Sequence, residues 1–214
     1  MPASPGGKVF SGFSADTVRA NLERVRAEVG PGVTIVAATK YVSVAELRVL
    51  AEAGVEVVGE NRAQDLAAKH DAYGNAFRWH FIGHLQSNKV KVVNAACELV
   101  HSLSSESAAR RLTIPALVEV NLSGEPTKSG ISPAELGPFL AAAPCEVRGL
   151  MTMPPPAGDP EASRPWFRRL RELAEGHGLR ELSMGTSQDY RVAAEEGATL
   201  VRVGSVLYAD YHSP

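Results

Sequence analysis

Cysteine is scarce in this chain: two residues in 214, Cys97 and Cys145, both set in apolar runs. That excludes a disulfide scaffold and predicts two reduced, buried thiols. An excess of one charge sign is also missing. Lys and Arg number 22 against 24 Asp and Glu, a formal net charge of −2. Without a global basic field the chain is not expected to hold nucleic acid. No run approaches the ~18–20 apolar residues that span a bilayer. The first twelve residues are rich in Pro, Ser and Gly and lack the apolar core of a secretory leader. These absences predict a cytoplasmic protein with no membrane partner. Residues 1–13 read as a flexible N-terminus and 14–214 as a single domain. Hydrophobic residues at 44% and charged residues at 21% exclude disorder as the dominant state.

What is present is an alternation. A helix is predicted over 14–29, capped by Ser14, with Val18, Leu22, Val25 and Val29 at helical spacing and Gly30-Pro31-Gly32 as its stop. Eight β-branched runs follow, at 34–39, 55–59, 78–82, 98–102, 116–121, 146–151, 181–184 and 199–203. Ala/Leu/Glu-rich stretches separate them, at 44–53, 63–72, 87–94, 106–111, 133–142, 161–175 and 188–196. Strict alternation predicts a parallel sheet, and eight strands close an α/β (β/α)8 TIM barrel. An open doubly wound sheet is the runner-up, but it leaves two edges to protect. Ten residues after Gly204 are too few for a full eighth helix. The helix at 14–29 is available to fill that place in the outer ring. The fourth unit is thin, with barely one helix between Leu103 and Pro115.

In a barrel, function gathers at the C-terminal strand ends. Lys40 follows the apolar run 35–38, where partial desolvation would favour the neutral amine that attacks an aldehyde; by residue type alone it is a solvated lysine at a strand end. Gly185-Thr186-Ser187 and Gly204-Ser205 end strands seven and eight, where barrels hold phosphate on backbone N–H groups. Ser187 also suits a plain helix N-cap. Arg202 interrupts an apolar strand, so it needs a partner or a polar cavity. By residue type alone, His80 is a core histidine, Met151 core filler and Asn61 a helix start. An amine, a phosphate nest and an arginine fit pyridoxal 5′-phosphate. They equally fit a sugar phosphate handled by a Schiff-base aldolase.

Specific stretches carry a family resemblance: Val36–Lys40, Gly59–Gln64, Trp79–Lys89, Val120-Asn121 with Lys128–Gly130, Arg148–Met151, Leu182–Gly185 with Ser187 and Asp189, and Val201–Gly204. Over about 14–209 the chain resembles the pyridoxal phosphate homeostasis (YggS/PROSC) family, which looks like the N-terminal barrel of alanine racemase standing alone. The resemblance implies pyridoxal 5′-phosphate as cofactor, held as an internal aldimine on Lys40. Ser187, Gly204 and Ser205 would hold its phosphate, and Arg202 would face the ring nitrogen. Asn61, His80 and Met151 would line the pocket. Thr186, Ser205 and the short fourth unit depart from the family's usual pattern; Ser205 keeps the hydroxyl of the more frequent Thr. A guanidinium can only donate to the ring nitrogen, which leaves the ring a poor carbanion sink. With no second domain to close the pocket, a monomeric carrier that buffers or delivers the cofactor to apo-enzymes is expected, not an enzyme. An amino-acid racemase is the alternative. Lys128, in the loop at 124–130, is a further amine that transfer could use.

Overall fold

The alternation closes on itself. In the computed structural model, which describes residues 10–209, eight strands run parallel in chain order: β1 (Thr34–Ala38), β2 (Val57–Glu60), β3 (Arg78–Phe81), β4 (Leu99–Leu103), β5 (Ala116–Glu119), β6 (Val147–Met151), β7 (Glu181–Thr186) and β8 (Leu200–Val203). β8 pairs back onto β1, so the sheet has no edge and the open-sheet alternative falls. The helices are α1 (Ala15–Val29), α2 (Leu47–Glu52), α3 (Ala63–Tyr73), α4 (Val90–Ala96), α5 (Glu106–Ala109), α6 (Leu136–Ala142), α7 (Arg164–Gly176), α8 (Tyr190–Glu195) and α9 (Ser205–Tyr208).

The period of two in each strand sorts its side chains. Val36, Val57, Leu99, Leu117, Met151 and Leu200 point into the barrel, packed with Ile82. Their neighbours Ala37, Val58, Val100, Val118, Leu150 and Val201 face the helices and join the larger core. Burying each Val or Leu side chain contributes about 1.5–3 kcal/mol, opposed by chain entropy. The interior apolar cluster is small because other inward positions carry polar groups: His80, His101, Glu119, Ser183 and Arg202.

Ser14 caps α1 as expected, accepting from the Thr17 amide, and α1 packs against α2, α8 and α9, filling the gap in the ring. The expected second strand begins too early: Val55 follows Gly54 (φ +81°) and bonds back to Leu50, so it belongs to the turn out of α2. The fourth unit is one helical turn. Two small buried residues, Ala108 and Ala109, let it lie close to the sheet, and the β4–β5 register shifts there.

The expected flexible N-terminus divides. Residues 1–9 lie outside the described residues. Residues 10–13 belong to the folded domain: Phe10 bridges Val42, and its ring centroid lies 5.1 Å from that of Tyr208. Phe13 is buried and stacks on the same tyrosine. Packing of these two aromatic rings, Phe13 buried and Phe10 half-buried, outweighs the loose composition around them. Cys97 is buried as expected; Cys145 is only half-buried.

Candidate functional site

β1 delivers Lys40 to the C-terminal mouth, and the residue before it is fixed by a buried ion pair. Thr39 faces outward toward α3. Its hydroxyl donates to Glu60 Oε1 at 2.5 Å, and its carbonyl accepts from Lys69 Nζ at 2.7 Å. Lys69 and Glu60 also pair with each other, at 5% and 0% side-chain exposure. The peptide leading into Lys40 is thus held by a closed, desolvated network. Lys40 itself stands past the strand end, exposed, with its ammonium 4.8 Å from the centre of the Tyr41 ring. The expected desolvation of this amine is therefore not found: β1 ends at Ala38, and the lysine rises beyond its apolar run.

Across the mouth, β7 ends in a bulge. Gly185 has φ +90°, and a Cβ there would lie 2.6 Å from that of Ala193, so glycine is required at the turn. The register between β7 and β8 shifts between Ser183 and Thr186. Asp189 locks the half-buried segment that follows, accepting from the Thr186 amide at 2.7 Å, its hydroxyl at 3.0 Å and the Ser163 hydroxyl at 2.7 Å. Ser187 does not cap the next helix. Its Oγ accepts from the amides of Gly204 at 2.9 Å and Val206 at 3.4 Å, at the start of α9. The loops after β7 and β8 therefore converge at the cavity wall, tied together by the bonds that the Gly204 and Val206 amides donate to Ser187 Oγ.

Between these walls lies a cavity of about 490 Å³, within the usual size for small-molecule sites. Lys40, Asn61, Met151, Ser187, Arg202, Gly204 and Ser205 all line it. Asn61 follows β2, and its Oδ1 is buried without a partner. Gly83 holds that wall in place: a Cβ there would sit 2.0 Å from the Asn61 carbonyl oxygen. Arg202 forms the floor. Its guanidinium donates to Ser183 Oγ, to the Thr152 carbonyl at 3.0 Å and to Met153 Sδ at 2.9 Å. Burial pulls its pKa down to about 10, against the attraction of Glu119 and Asp189, so it stays charged near neutrality.

His80 is not in this cavity. The inward-facing rung it occupies on β3 lies toward the N-terminal mouth, below Ile82, which does line the cavity. His80 bonds there to Glu98 (3.1 Å) and His101 (2.9 Å). Lys128 lies in the loop after β5, 3.5 Å from Glu125; its neighbour Ser129 reaches the cavity wall. Sequence reasoning missed Glu119 and Tyr41. Glu119 carried a signal of the kind that marked Arg202, a charge ending an apolar strand. Burial pushes its carboxyl up to about 6, with Arg202 opposing the rise.

An exposed amine, a buried guanidinium and converging anion donors in one barrel mouth define a barrel of the alanine racemase N-terminal type, and that domain matches residues 13–212. A curated relative from Aquifex aeolicus, named pyridoxal phosphate homeostasis protein, is 40% identical over 196 residues, covering 82% of this chain and 86% of its own. One of the same name from Deinococcus radiodurans is 39% identical over 213 residues, covering 92% and 100%. Among solved structures, PipY of Synechococcus elongatus PCC7942 with pyridoxal phosphate bound is 30% identical and superimposes with TM-score 0.79, over 90% of this chain and all of its own. The chain belongs to the pyridoxal phosphate homeostasis protein family.

Proposed function

We propose that this protein binds pyridoxal 5′-phosphate at Lys40 and carries, buffers or delivers it, with no turnover of its own. The observation that carries the reading is the meeting of Lys40, Arg202, Ser187 and Gly204 around one cavity. The residues present fit that cofactor: Asn61 Oδ1 is buried and unpartnered in the wall, and the guanidinium of the floor is held facing the cavity. When bound, pyridoxal phosphate supplies an aldehyde that condenses reversibly with a primary amine and releases water. Lys40 presents that amine at the rim of the cavity, where it is exposed. Thr186, Ser187, Gly204 and Ser205 would hold the phosphate. Asn61 and Met151 would flank the ring.

Arg202 would face the ring nitrogen. Its guanidinium has no acceptor and keeps its proton at neutral pH, so it would donate and leave that nitrogen unprotonated. A ring in that state stabilises a carbanion poorly, which favours retention of the cofactor over chemistry on a bound amino acid. The open mouth beside an exposed Lys40 leaves room for a second amine to approach. That suits release to apo-enzymes in the cytoplasm, from a monomer.

The test is an absorption spectrum of the protein incubated with pyridoxal phosphate, before and after borohydride. A visible band that borohydride bleaches and fixes on Lys40 is expected, and Lys40→Ala abolishes the fixing. Fixing that persists in Lys40→Ala, or turnover of an amino-acid enantiomer by the parent protein, overturns the carrier reading.

A further inference from the structure

The inward rungs of β3, β4, β7 and β8 carry a continuous line of polar groups from the Arg202 floor to the opposite mouth. Arg202 Nη1 donates to Ser183 Oγ. Ser183 Oγ lies 2.7 Å from His101 Nδ1, His101 Nε2 2.9 Å from His80 Nδ1, and His80 Nε2 3.1 Å from Glu98 Oε1. Ser183 and His101 are fully buried and His80 nearly so. Glu98 is 43% exposed, in a cavity of about 380 Å³ at the N-terminal mouth.

The two ends of this line fix the direction of every bond. Arginine can only donate and a carboxylate can only accept. Burial keeps both histidines neutral, so each ring has one N–H and one acceptor nitrogen. His80 gives its Nε2 proton to Glu98, so its Nδ1 accepts. His101 then donates through Nε2 and accepts at Nδ1 from the Ser183 hydroxyl. Ser183 in turn accepts from Arg202. Four hydrogen bonds point one way, from a buried cation to a half-exposed anion, and reversing any one leaves two donors or two acceptors face to face.

We propose that Ser183, His101, His80 and Glu98 form a one-way hydrogen-bond relay that positions Arg202 and couples the electronic state of the cofactor in the Lys40 cavity to the charge at the opposite mouth. The inference rests on the reading of that cavity given above. Ser183, His101 and His80 are positioning residues that act through Arg202. Glu98, half in solvent and paired with Arg78 at 2.7 Å, is the far charge of the line at the N-terminal mouth, beyond the Glu119 and Asp189 carboxylates that attract Arg202 in its own cavity. The small interior apolar cluster is the cost of running this line through the barrel.

The test uses protein loaded with 15N-labelled pyridoxal phosphate, with two readouts: the 15N shift of the ring nitrogen and the pH midpoint of the visible band. Ser183→Ala removes an acceptor from Arg202 and leaves a more naked cation beside the ring. The midpoint falls by about one pH unit, the scale of one hydrogen bond to a charged group, and the 15N shift moves. Glu98→Gln keeps an acceptor oxygen but removes the far charge. It moves both readouts in the same direction by a smaller amount, because the charge acts from a distance. A purely structural role lowers the melting temperature of Ser183→Ala and moves neither readout. Unchanged readouts in Glu98→Gln, with borohydride still fixing the cofactor on Lys40, overturn the relay alone. Parent protein in which borohydride fixes nothing overturns the cavity reading and the relay with it. Should Ser183→Ala fail to fold, Glu98→Gln decides, because its altered group is partly in solvent.

Discussion

At the C-terminal mouth Lys40 stands exposed above two buried charges, Glu119 and Arg202, and the ion pair that supports it, Lys69 with Glu60, is almost wholly desolvated. At the N-terminal mouth a buried neutral histidine, His80, touches an ion pair that water reaches, Arg78 with Glu98, at 59% and 43% side-chain exposure. Both ends use the same residue types. They differ in where the dielectric boundary falls, and that decides what each pair is worth and how each mouth answers to pH. A desolvated pair fixes geometry and is costly to break. A solvated pair can lose or exchange a partner cheaply, which suits an end that senses charge.

The largest difference between the ends should come from breaking the buried pair. Lys69→Met leaves Glu60 without its cation inside the fold, which costs about 3–5 kcal/mol. For a chain of this size that is a fall in melting temperature on the order of 10 °C. It also frees the Thr39 carbonyl, so borohydride fixing at Lys40 should slow as well. Calorimetry of Lys69→Met beside Arg78→Ala checks the contrast; equal, small falls in both would erase it.

The next largest effect belongs to the histidine. Burial holds His80 down to about 4, against the pull of Glu98, while an unfolded histidine titrates near its ordinary value. The folded pKa is depressed, so the stability this neutral ring contributes is complete above about 6.5. It is lost as pH falls toward 4, by about 3 kcal/mol in total. His80→Gln cannot bind that proton. Its stability relative to the parent should rise steadily between pH 6.5 and 4, as read from denaturant unfolding at a series of pH values. A constant offset between the two proteins would refute the assignment.

Much of this architecture is legible in the residues. The β-branched runs and their alternation with Ala/Leu/Glu-rich stretches marked eight strands, and the helical spacing of Val18, Leu22, Val25 and Val29 marked the helix that completes the outer ring. Residues at the strand ends, Lys40, Arg202, Ser187 and Gly204, announced one mouth because charge or glycine there interrupts an apolar run. The other mouth was not legible. His80 sits in a motif that also includes cavity residues, and only the three-dimensional rung of β3 shows which way along the barrel it lies. Lys69 looks like any surface lysine on an amphipathic helix until α3 lays it against Glu60. Ser183 and His101 are 82 positions apart in sequence, and no local pattern pairs them. The exposure of Lys40 was left open between a desolvated amine and a solvated one for a related reason: an apolar run says where a strand lies, not how far past its end the next side chain rises.

The smallest of these effects is also the one that runs opposite in sign. Glu119 is a carboxyl raised to about 6 by burial in the floor of the C-terminal cavity. Its folded pKa lies above its unfolded value of about 4.5, so the folded state binds the proton more tightly than the unfolded one. The stability linked to that proton is fully present below pH 4.5 and is lost as pH rises through 6. The loss amounts to about 2 kcal/mol once the carboxyl is ionised. Glu119→Gln keeps the shape and removes the charge. It should match the parent near pH 4 and exceed it in stability by up to about 2 kcal/mol at pH 8. Its stability difference from the parent therefore grows toward alkaline pH, whereas that of His80→Gln grows toward acid. If the two difference curves slope the same way, the contrast between a desolvated acid at one mouth and a desolvated base at the other is wrong.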